Sequence, residues 1–105
     1  DCPDAARGLD ILRRKAPGAA ETLRREIVAF VQKLRGADLF KLPGVAETID
    51  WTRALVELDR LCLDPQTIND TLGVLLKYQD DIVRVSGSEA ASILDQVRAD
   101  LAAAP

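Results

Sequence analysis

Between positions 20 and 35 the apolar residues recur at helical spacing. Leu23, Ile27, Phe30, Val31 and Leu34 fall at i, i+4, i+7, i+8 and i+11, which is one stripe of an α-helix. Arg24, Arg25, Gln32, Lys33 and Arg35 take the wet side, and Gly36 stops the run. A strand would need alternation of period two, which this segment lacks. A helix with one apolar stripe must bury it against other elements, so the rest of the chain has to supply them.

What it supplies is more helix. A first segment is predicted from Pro3 to Lys15, with Pro3 and Asp4 in the opening turn and Arg13, Arg14 and Lys15 in the last, an order that suits the helix dipole. A connector, Ala37 to Val45, carries Leu39, Phe40 and Leu42, three bulky residues expected to tuck against the core. A third helix is predicted from Ala46 to Asp59, and its wide apolar face (Ile49, Trp51, Leu55, Val56, Leu58) marks it as central. The fourth opens at Asp64-Pro65, a cap followed by proline, and runs through Ile68, Leu72, Leu75 and Leu76. Gly73 weakens it unless something packs closely there. The segment continues or restarts through Tyr78 to Val83, with a small hairpin near Val83 to Val85 as the alternative. The fifth opens at Ser86-Gly87-Ser88-Glu89, which reads as a capping box, and carries the stripe Ile93, Leu94, Val97 and Leu101. Residues 102–105 form a fraying tail.

The predicted fold is therefore all-α, one domain spanning residues 1–105, a compact irregular bundle of about five short helices. A chain of 105 residues is long enough to bury a core without staples. Aromatics are only 4% of it, so that core is aliphatic. The formal charge of −3 gives no electrostatic pull toward nucleic acid or an anionic membrane. No apolar run approaches the roughly 20 residues that span a bilayer. The chain opens at Asp1 and contains no Met, so it is expected to be a piece of a longer protein.

Few residues suggest chemistry. With no histidine, Ser86, Ser88 and Ser92 lack the usual base, and Cys2 and Cys62 would leave a tetrahedral metal site half empty. Cys62, between Leu61 and Leu63, is expected to be small apolar filler. Trp51 is expected to anchor the core. Asp80 and Asp81 read as solvated carboxylates at a helix end. Arg13-Arg14-Lys15 and Arg24-Arg25 read as solvated helix surface, or alternatively as a docking face for an acidic partner.

One stretch is more particular. Leu42-Pro43-Gly44-Val45-Ala46-Glu47-Thr48-Ile49-Asp50-Trp51, then Arg53-Ala54-Leu55, then Asp70-Thr71-Leu72-Gly73-Val74-Leu75-Leu76-Lys77-Tyr78, resembles the C-terminal helical lid of MoxR-type AAA+ ATPases. The likeness runs from Pro3-Asp4 and Ile11-Leu12 to Tyr78 and weakens beyond Ser86. It implies a lid that covers a nucleotide and passes on ATP-driven motion, in a chaperone-like maturation of partner complexes. ATP and magnesium would be held by the parent protein's α/β body, whose phosphate loop and magnesium site are not in this chain. The implied partners are the ATPase core domain of the same chain, neighbouring subunits of a ring and von Willebrand factor A-domain proteins; the implied location is cytoplasmic. Gly44, Val45, Thr48 and Arg53 are the nucleotide-facing positions that the resemblance assigns. Related families carry a phosphate-sensing arginine where Glu47 and Thr48 stand here, and Arg53 is the nearest arginine, about one and a half turns on.

Two other readings use the same residues. A free-standing helical interaction module would hold a partner helix in a groove. A secreted helical protein would join Cys2 to Cys62.

Overall fold

A computed structural model describes residues 5–103 as six α-helices with no strand among them: α1 (Ala5–Lys15), α2 (Glu21–Leu34), α3 (Val45–Glu57), α4 (Pro65–Leu75), α5 (Gln79–Val85) and α6 (Ser88–Ala103). Pro3, Asp4 and Cys2, and the end of the tail at 104–105, lie outside the described residues. Residues 102 and 103 continue α6.

The apolar stripe of α2 is the centre of the molecule. Leu23, Ile27, Phe30 and Leu34 are wholly buried, and α2 packs against α1, α3 and α6. Glu26 shares this face as a buried carboxylate. It accepts from the Leu63 amide at 2.7 Å and from Arg98 Nε at 3.0 Å, while Arg98 also donates to the Leu63 carbonyl. A buried charge is tolerable only when its lone pairs are used in this way. The arrangement ties α2, α6 and the entry to α4 together.

Trp51 anchors α3, as expected. It is completely buried, sits 5.6 Å from the Phe30 ring, and donates from Nε1 to Thr71 Oγ1 at 2.7 Å. Thr71 in turn donates to the Thr67 carbonyl at 2.7 Å, so the indole N–H is satisfied inside the core. Helix α3 ends with Asp59 in the left-handed region, φ 57°. The Arg60 amide reaches back to Leu55 O and the Asp59 amide to Val56 O, which closes the helix in a Schellman turn. Asp64 then caps α4 by accepting from the Thr67 amide and hydroxyl, and both contacts hold its carboxyl below the usual range.

Several expectations are corrected. The fourth predicted segment is two helices, because Leu76 is extended (φ −111°, ψ 139°) and breaks the run before Gln79. Val83 to Val85 belong to α5, not to a hairpin; the Ser86 amide still donates to Ile82 O at 2.9 Å. Ser86 ends α5 instead of capping α6, with its hydroxyl on Val83 O, and Gly87 makes the turn at φ 74°. Gly73 has nothing within 4 Å of the place a side chain would take. Cys62 is exposed, and Leu61 is 72% exposed. The chain enters the core only at Leu63, drawn in by the Glu26 contact.

The cationic clusters are partly spent. Arg13, Arg24 and Arg25 converge on Glu21, and Arg24 also donates to Ala16 O at 2.9 Å.

Candidate functional site

The start of α3 is built by a local device. Glu47, at the third position of the helix, turns its carboxylate back to accept from the Gly44 amide at 2.8 Å. The Thr48 hydroxyl donates to Gly44 O at 2.8 Å. Glycine is suited to this corner because a Cβ there would lie 2.9 Å from the Glu47 carboxylate. Negative charge is favoured at a helix N-terminus, and here the chain supplies it from within.

This corner faces α1 and α2 across a small cleft. Gly44, Val45 and Thr48 line one side, while Gly8 and Ile11 of α1 and Val31 of α2 line the other. The lining is almost entirely apolar; Arg35 is the one charged residue in it. Gly8 keeps the α1 wall close, since a Cβ there would meet Val28 Cγ1 at 3.5 Å. The cavity measures about 40 Å³. That is room for a few water molecules or one small side chain, not for a nucleotide.

Three of the four assigned positions thus meet at one cleft. The fourth, Arg53, does not. Its Nη2 donates to Lys15 O at 3.0 Å, so the guanidinium satisfies a carbonyl at the C-terminal end of α1. It acts as a clamp between α1 and α3. Among the described residues no group of three or more His, Cys, Asp or Glu is placed to hold a metal ion, and no helix is long and apolar enough to cross a membrane.

A second concave region was missed from sequence. The connector is not tucked in throughout: Phe40 is 77% exposed. It stands beside Tyr78, ring centroids 6.2 Å apart and tilted by 57°. Asp81, far from being a solvated helix-end carboxylate, is buried below them. It accepts from the amides of Phe40 at 2.8 Å and Lys41 at 3.1 Å. The signal in the sequence was one aspartate at a position facing the core of α5, but its partners lie 40 residues away. Backbone amides leave no mark on residue type, so no pattern announces them.

Comparison with known proteins finds no matching family model, no matching curated protein and no matching solved structure.

Proposed function

We propose that this chain is the C-terminal lid of a MoxR-type AAA+ ATPase, a helical body that swings against a nucleotide-holding domain and has no activity alone. The observation that carries the reading is the meeting of Gly44, Val45 and Thr48 at one end of α3, beside a cleft shared by α1 and α2. A helix start exposed at the junction of three packed helices moves with all of them. Contact made there is therefore transmitted to the whole bundle.

The residues present do not fit ATP or magnesium by themselves. The Gly44 amide is already occupied by Glu47, Arg53 is turned to α1, and the cleft is apolar and small. The lid's share is then packing: Val45, 38% exposed, and its neighbours cover the site from one side. Phosphate and metal chemistry stay with the parent's α/β body, and the parent would be the ATP hydrolase. In this role the cytoplasmic maturation of partner complexes, the ring and the von Willebrand factor A-domain partners follow from the resemblance.

The test uses the full-length protein. Val45→Asp places a charge on the covering face and should lower ATP turnover at least tenfold, with the bundle still folded, whereas Arg53→Ala should cost stability and leave the turnover of folded protein within about twofold. Unchanged turnover in Val45→Asp contradicts the reading. The runner-up, a free-standing interaction module, draws on the exposed apolar residues Leu58, Leu61, Val74 and Val83. It expects a complete protein with no nucleotide machinery.

A further inference from the structure

We propose that Phe40, Tyr78 and Asp80 form a notch that binds an arginine side chain presented by another protein. The two rings are the only exposed aromatics among the described residues, and they stand together. Beside them lies a shallow depression, open to solvent, lined by Phe40, Tyr78, Gln79 and Asp80.

The rings are not there by default of folding. Asp81, 1% exposed, spends its whole carboxylate on the Phe40 and Lys41 amides and so fixes the strap that holds Phe40 outward. Placing a large apolar side chain in water on a fixed backbone forgoes the free energy of burying it. A ligand that covers the ring recovers it.

Charge selects the ligand. Asp80 is the one charged residue lining the hollow, and among the described residues no hydrogen bond or ion pair holds its side chain. Asp38 and Arg84, across the adjoining groove, face each other at 3.9 Å, and Lys41 and Lys77 do not line the hollow. An anionic ligand would meet Asp80, and a purely aliphatic one would bury that carboxylate unpaired. A cation satisfies both walls at once. Arginine fits better than lysine because its planar guanidinium stacks on a ring while its edge forks a carboxylate. The inference does not depend on the lid reading, since it concerns a different face and no nucleotide.

The test is an amide NMR titration of the whole chain with two blocked peptides, Gly-Arg-Gly and its citrulline counterpart, which is isosteric but uncharged. The arginine peptide should shift the Phe40, Tyr78 and Asp80 amides and bind about threefold to thirtyfold more tightly than the citrulline peptide. Phe40→Ala and Tyr78→Ala should each abolish those shifts, and Asp80→Asn should weaken binding about threefold. All three side chains are exposed, so the variants should keep the native spectrum elsewhere. Equal binding of the two peptides, shifts clustered on another face, or no response to either would overturn the proposal.

Discussion

At the scale of single residues, the chain shows how far a residue type announces its place. Trp51 was legible: one tryptophan on a wide apolar helix face has little alternative but the core. Its truncation, Trp51→Ala, should cost about 3–5 kcal/mol, read as a lower urea midpoint. Asp81 and Cys62 were not legible. The buried carboxylate is explained only by amides 40 residues away, and the exposed thiol only by a chain that enters the core one residue later. Glu21 offers a sharper test. Arg13 first, then Arg24 and Arg25, hold its carboxyl at about 2, below the ordinary 4.5. The folded value lies below the unfolded one. Its contribution is therefore complete above pH 4.5 and is lost as pH falls toward 2. Glu21→Gln should lower the urea midpoint at neutral pH and match the native chain near pH 2, and added salt should shrink the difference because the cluster is exposed. A gap that persists at low pH would contradict this assignment.

At the scale of elements, periodicity located α1, α2, α3 and α6 closely, because each buries a single stripe and pattern follows burial. It failed where an element is too short to show a period. Helix α5 has seven residues, and the break before it is made by the backbone of Leu76, which any residue could adopt. The Ser86 box failed because Gly87 takes a left-handed turn first, leaving Ser86 on the wrong helix. Two variants test this level. Gly73→Ala fills open space in α4 and should stabilise the chain by about 0.5–1 kcal/mol, seen as a higher thermal midpoint. Asp81→Ala orphans two amides of the connector and should cost about 2–4 kcal/mol; Asp81→Asn, which keeps one acceptor, should cost less. Amide exchange at Phe40 and Lys41 should quicken in both. No change in exchange would mean that the connector is held by something else.

At the scale of the whole molecule, the radius of gyration is 12.5 Å and the core is one continuous cluster running from Leu12 to Val97. A helical bundle of this composition was legible, since scarce aromatics and repeated Leu and Ala stripes allow little else. The candidate positions came only from the resemblance: Gly44, Val45 and Thr48 share the first turn of α3 and line one cleft, whereas Arg53 donates to Lys15 O on α1. In the proposed reading the bundle is a body moved by a nucleotide-holding domain. The most direct measurement of that claim is the full coding sequence of the protein from which the chain comes. A lid would be preceded by a phosphate-loop motif, GxxxxGK[ST], within an α/β domain ahead of Asp1 in the same reading frame. A complete open reading frame around these residues with no nucleotide-binding domain would contradict it.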